Sequence, residues 1–213
     1  MDDARAPESG HRILIYVPIV HNLADMGALS ESVKDASVRK VGRQNWKRKQ
    51  NLIEKLWDDI ETVLEGLSVT WERVRIYQDG LPVSGKEAAI VKDLANSGSR
   101  NHRLLLRLME RGAQLMGSES PELLLEEYEM ARRKLSSDGS ARSGGADRAE
   151  SAALLQRRDK FIAGRINDTL KEGETGIVFL GMLHTLEPWL AKDIRVLFPI
   201  GRPPERGLPG SGE

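Results

Sequence analysis

Residues 176–190 read GIVFLGMLHTLEPWL. The first eight form an apolar run of strand length with no polar alternation, the pattern of a strand buried on both faces of a parallel sheet. Three further segments carry strand signals: RILIYVPIV (12–20), ERVRIYQ (72–78) and AQLMGSE (113–119), with DIRVLFP (193–199) as a last strand. Between them lie helical patterns. Trp46, Ile53, Trp57, Ile60, Leu64 and Leu67 recur at helical spacing across 41–66, and shorter helices are predicted over 86–95 and 100–111. Ser120-Pro121-Glu122 opens another helix with an N-cap serine, proline at the first helical position and an acid in the first turn. A long helix from about 148 to 171 leads into the opening stretch. Strand and helix in alternation, joined by crossover-length connections, specify an α/β fold: a mostly parallel β-sheet flanked by helices on both faces.

The composition of the 213 residues suits one such domain, with 39% hydrophobic and 30% charged residues. We place it at 11–200. Residues 1–10 and 201–213, rich in Gly, Pro and charge, are expected to be a flexible N-terminus and a disordered tail, and 136–150 (SSDGSARSGGADRAE) a flexible surface loop. Thirty-two basic residues balance thirty-two acidic ones, so no net field draws the chain to nucleic acid or an anionic membrane. No cysteine is present, which excludes disulfides, thiolate metal sites and cysteine nucleophiles. With no signal-peptide or membrane-spanning run, the expected location is cytoplasmic. No pattern specifies an oligomer.

Ligands of open parallel sheets bind beyond the carboxyl ends of the strands. The predicted strands end at His21 (YVPIVH), Asp79 (RIYQDG), Glu119 (QLMGSE) and His184 (FLGMLH). Neighbouring strands lie about 4.8 Å apart, so side chains from adjacent strand ends can close on one ion at about 2.0–2.2 Å. A set of imidazoles and carboxylates without thiolates suits Zn, Mn or Co. Each residue also has an ordinary reading. A lone histidine after a strand more often bonds a loop, Asp79-Gly80 is a turn signal, and Glu119 would favour the positive end of the helix that follows.

The helix before the fourth strand adds another signal. In LLQRRDKFIAGRINDTL, Leu155, Phe161, Ile162, Ile166 and Leu170 mark its inward face. At about 100° per residue, Arg158 falls roughly 40° to one side of Ile162 and Asp159 roughly 60° to the other. Both charges lie within the apolar stripe. They are either a structural ion pair or a functional couple, with Arg158 reaching the strand ends as an oxyanion or carboxylate clamp and Asp159 orienting Arg158 or a histidine.

RRDKFIAGRINDTLKEGETGIVFLGMLH (157–184) resembles the closing portion of the TraB/PrgY/GumN/Tiki superfamily: an Arg-Asn/Asp pair, a helix, a glycine turn, a strand and Gly-x-x-His, here Gly181-Met182-Leu183-His184. The family's earlier Gly-x-x-His corresponds to Pro18-Ile19-Val20-His21, with proline for glycine, and its glutamate after the second strand corresponds to Asp79. The resemblance implies a Tiki-like metal-dependent hydrolase acting on a peptide or a small molecule. His21 and His184 would be metal ligands, Asp79 or Glu119 a carboxylate ligand or general base, and Arg158 an electrostatic stabiliser. The alternative is a non-catalytic α/β binding or regulatory module that recognises a small ligand or a partner protein.

Other motifs carry less. The basic run RKVGRQNWKRKQ (39–50) reads as the solvated face of a helix with Trp46 turned to the core. SGKE (84–87) lacks the phosphate-loop pattern, and no Gly-x-Ser-x-Gly elbow is present. His11 and His102 fit no ligand spacing, and His102 is expected to be structural.

Overall fold

The structure, a computed structural model, describes residues 11–20, 39, 42–136 and 144–203. Five strands form one sheet: β1 (Arg12–Ile19), β2 (Val74–Gln78), β3 (Gln114–Met116), β4 (Thr175–Gly181) and β5 (Ile194–Leu197). Their order is β3-β2-β4-β1-β5, and every pairing is parallel. Among the described residues, five longer α-helices accompany them: α1 (Arg43–Glu65), α2 (Glu87–Asn96), α3 (Arg100–Glu110), α4 (Pro121–Ser136) and α5 (Gly144–Thr169). The chain is an α/β protein built on a parallel sheet.

The pleat sorts the core into two halves. Ile15, Val17 and Ile19 of β1, Val74 and Ile76 of β2 and Ile177 and Phe179 of β4 pack with Trp57, Ile60 and Leu64 of α1, Val91 of α2 and Leu104, Leu105 and Leu108 of α3. The alternate residues Leu14, Tyr16, Tyr77, Val178 and Leu180 pack with Ile162 and Ile166 of α5 and with Leu170 just after it. A strand covered on both faces needs apolar residues at consecutive positions, and Gly176-Ile177-Val178-Phe179-Leu180 supplies them from the centre of the sheet. Gly176 is required there by close approach: a Cβ would meet Leu14 Cδ1 at 2.7 Å.

Connections leading toward the β3 edge, β1 to β2 and β2 to β3, cross the face of α1, α2 and α3, whereas those leading toward the β5 edge cross the face of α5. All four crossovers therefore share one hand, as the right-handed rule for parallel sheets requires. Where the two directions part, at the neighbours β2 and β4, the loops after the strands diverge and leave a crevice. This is the topological switch point at which such sheets bind ligands.

Several boundaries differ from the sequence expectation. Strand β3 covers three residues rather than seven, and beyond it only Glu119 pairs again, in an isolated parallel bridge. Helix α5 begins at Gly144, so 144–150 are helical and not part of a loop. Asp147 sits in the first turn, and Arg133–Glu150 and Lys134–Ser151 contacts tie this end to α4. Trp46 is half-buried rather than enclosed, since the first turns of α1 extend past the core. The expected N-terminal segment 1–10, loop residues 137–143, the tail from 204 and the ligand candidate His21 lie outside the described residues. Among the described residues, no helix is long and apolar enough to cross a membrane.

Candidate functional site

Asp79, Glu119, Arg158, Asp159 and His184 converge at the carboxyl edge of the sheet, all buried. Asp79 follows β2 directly. Its backbone N–H continues the sheet by donating to Phe179 O (2.8 Å), and its Oδ2 accepts from Gly181 N (2.9 Å) at the end of β4. The carboxylate is thus fixed across the β2/β4 crevice by the backbone of the opposite strand. Gly80, at φ +74°, then turns the chain, as the Asp-Gly pair foretold.

Glu119 arrives by a different route from the strand end the sequence suggested. Two residues past β3, it forms an isolated parallel bridge with Pro82. Ser118 N and Glu119 N both donate to Leu81 O, and Val83 N donates to Glu119 O. The segment must pass so close to 82–83 that a Cβ on Gly117 would meet Val83 Cα at 2.8 Å. Ser120 then accepts from Leu123 N (3.2 Å) as the predicted N-cap of α4. Backbone hydrogen bonds therefore lock Glu119 beside the loop that carries Asp79.

Arg158, 4% exposed, uses all three guanidinium nitrogens. Nη2 donates to Asp79 Oδ1 (2.7 Å) and Glu119 Oε1 (2.5 Å), Nε to Glu119 Oε2 (3.2 Å), and Nη1 to Glu127 Oε1 (2.5 Å). The planar fork matches a carboxylate edge, which lysine could not do. Burial alone would lower the Arg158 pKa, but Glu119, Asp79 and Glu127 overcome it and raise it further. Burial pushes the Glu119 carboxyl up, against the pull of Arg158 and with help from Asp79.

His184 follows β4, and its backbone N–H donates to Gly181 O (3.0 Å). Its Nδ1 lies 2.6 Å from Asp159 Oδ1, and Asp159 Oδ2 accepts from Thr185 N (3.2 Å). Its Nε2 faces Asp79 Oδ2 at 3.5 Å. Burial opposes a charged imidazole here, but the two aspartates outweigh it and raise the pKa to about 9. Neighbours on one helix thus divide the site: Arg158 serves the carboxylates and Asp159 serves the histidine.

A ring nitrogen of His184 and one oxygen each of Asp79 and Glu119 lie within 4.8 Å of one another. One nitrogen and two oxygens suit Zn, Mn or Co. The bond from Asp159 to Nδ1 leaves Nε2 as the atom presented to the carboxylates, the arrangement of a histidine ligand held by a carboxylate. The donor set fits a divalent ion, with one competitor: the Arg158 guanidinium already bridges both carboxylates.

Above this group opens a cavity of about 760 Å³. Asp79, Glu127, Arg158 and His184 line it on the side of the buried group, and Lys49, Lys134 and Ser151 add further polar groups; Ile19, Val20, Met130, Leu154, Leu155 and Leu183 are among its apolar walls. Glu127, which the sequence reading did not single out, is the solvent-facing anchor of Arg158, its side chain 49% exposed. Its only sequence signal is position, two helical turns into α4. His102 caps α3 locally, with Nδ1 2.7 Å from Ser99 Oγ and its N–H donating to the same oxygen, as expected of a structural histidine. The basic residues Arg43, Lys47, Arg48 and Lys49 of α1 are exposed, and Lys49 borders the cavity. Comparison of the chain with protein-family models, curated proteins and solved structures returned no match.

Proposed function

We propose that the chain is a metal-dependent hydrolase of the TraB/PrgY/GumN/Tiki type, acting in a reducing, cytoplasmic setting on a peptide or small molecule. The observation that carries this reading is the convergence of His184, Asp79 and the fully buried Glu119 from three separate strand connections, with Asp79 and His184 lining one cavity. Asp79, Glu119 and His184 would hold a divalent Mn, Co or Zn ion, which when bound supplies Lewis-acid polarisation and a lowered pKa for water. His21, which lies outside the described residues, is a further ligand in this proposal.

The chain's own groups have separable tasks. Asp159 fixes the imidazole so that Nε2 faces the cavity. Glu119, its carboxyl pushed up by burial, is suited to take up and return a proton. Arg158 borders the cavity and offers positive charge to an oxygen that becomes negative during acyl transfer.

The four contacts of Arg158 favour a second reading, since a guanidinium already neutralises the carboxylates. In that case the site is a buried ion network beneath a binding cavity, and the protein a non-catalytic module for a small ligand or partner. Metal titration separates the two. Protein stripped with a chelator should bind one equivalent of Co, Mn or Zn, and Asp79→Asn and Glu119→Gln should each weaken binding at least tenfold. Failure to bind any of the three at millimolar concentration would overturn the hydrolase proposal and leave the binding module.

A further inference from the structure

The charged residues that line the cavity fall into two groups. Asp79, Glu127, Arg158 and His184 are tied to one another: Arg158 Nη2 donates to Asp79 and Nη1 to Glu127, and His184 Nε2 faces Asp79. Both acids on the lining are thus engaged by groups of the site itself. The other two charged residues of the lining are lysines, Lys49 and Lys134. They belong to helices on opposite faces of the sheet. Lys49 lies on α1, which covers one face, and Lys134 on α4, which packs against α5 on the other. Lys134 Nζ donates to Ser151 Oγ (2.6 Å), and Ser151 donates to Asp147 O (2.7 Å), which holds the ammonium against the cavity wall. Two like charges bordering one space repel, and apolar walls such as Met130, Leu154 and Leu183 strengthen the field between them. An anion between the lysines removes that repulsion.

We propose that Lys49 and Lys134 receive a carboxylate of the substrate, remote from the bond that is cleaved. The spacing sets its reach. Lys134 lies seven residues beyond Glu127, the partner of Arg158, which at about 1.5 Å per residue is roughly 10 Å along α4. An extended peptide covers that distance in about three residues. The substrate class is therefore a short acidic peptide, with its carboxylate at the lysines and the reacting carbonyl toward Arg158 and His184. The assignment rests on the hydrolase reading for the bond that is cleaved, but the binding of the carboxylate is independent of any ion. A lysine ammonium is a compact point charge without the planar fork of arginine, so a C-terminus and an acidic side chain share the chemistry it recognises.

Three blocked tripeptides test this by calorimetry at low ionic strength, on protein without added metal: N-acetyl-trialanine as the free acid, the same peptide as its amide, and N-acetyl-Ala-Ala-Glu amide. At least one of the two acids should bind about tenfold more tightly than the neutral amide, the worth of two ion pairs at exposed sites. Which acid binds more tightly distinguishes a C-terminus from a side chain as the source. Lys49→Gln combined with Lys134→Gln should bring all three peptides to one affinity, whereas Lys49→Arg combined with Lys134→Arg should keep the preference. Both lysines are exposed, so neither double variant should shift thermal unfolding. Equal affinity for the three peptides in the unaltered protein, or a preference that survives the double glutamine variant, would overturn the carboxylate site. A preference for acid in protein that binds no cobalt, manganese or zinc would uphold the site and sink the hydrolase reading alone. Metal binding without such a preference would do the opposite.

Discussion

Asp159 and His184 are joined by a 2.6 Å contact between Oδ1 and Nδ1, across twenty-five residues of chain and from opposite sides of the β4 strand. This contact and Asp79 hold the imidazole charged to about pH 9. The folded pKa lies above the ordinary histidine value of 6.5, so its stabilising effect is complete below that pH and is lost as pH rises through about 9. The difference is on the order of 3 kcal/mol. Urea unfolding followed from pH 6 to pH 10 should show stability falling across this window, and Asp159→Asn should flatten the fall.

The same proton competes with a metal. A ligating imidazole must give up its Nε2 proton, so the affinity for Co or Zn should rise with pH up to about 9. Calorimetry in buffers of different ionisation enthalpy should register proton release on binding. Binding that is independent of pH would remove His184 from the ligand set.

Removing Arg158 exposes how much it holds. Arg158→Met leaves Glu119 buried without its counter-charge and Asp79 with His184 alone, at a cost of about 3–5 kcal/mol, equivalent to a fall in Tm of roughly 10 °C for a chain of this size. A divalent ion should restore part of that loss by occupying the vacated charge. Thermal melts of the variant with and without manganese measure both effects.

Gly117 is a lever on Glu119. A Cβ there would press on backbone at 2.8 Å, where no side chain can swing aside. Gly117→Ala should cost about 1–3 kcal/mol and loosen the Glu119–Arg158 fork, lowering metal affinity without touching any ligand. Denaturant midpoints and cobalt titration of the variant check the two parts together.

Much of the site was legible because strand ends and helix faces are read from periodicity. His184 lies next to a strand whose apolar run is unmistakable, Asp79 follows a short β-rich segment, VRIYQ, at a turn signal, and the placement of Arg158 and Asp159 follows from counting angles around a helix. The division of labour between them was not legible: the angle put both charges near the core but could not say that one would meet carboxylates and the other a histidine. Glu119 was found for a partly mistaken reason. It is delivered by a bridge to Pro82 rather than by strand β3, and such long-range backbone pairing leaves no local pattern. Glu127 was missed because an acid on an exposed helix surface looks like any solvated charge. The start of α5 was placed late because glycine and serine near a helix end resemble a loop, while the contacts that hold that end to α4 come from elsewhere in the chain.

The order β3-β2-β4-β1-β5 also constrains how the molecule comes into being. The strands made first and second are not neighbours, and the place between them stays vacant until residues 175–181 have been synthesised. Until then β1 and β2 each present open hydrogen-bonding edges, and the nascent chain has no sheet that joins them. Ribosome-bound chains ending before about residue 170 should therefore be the protease-sensitive, chaperone-dependent species, with protection arriving in one step once the central strand emerges.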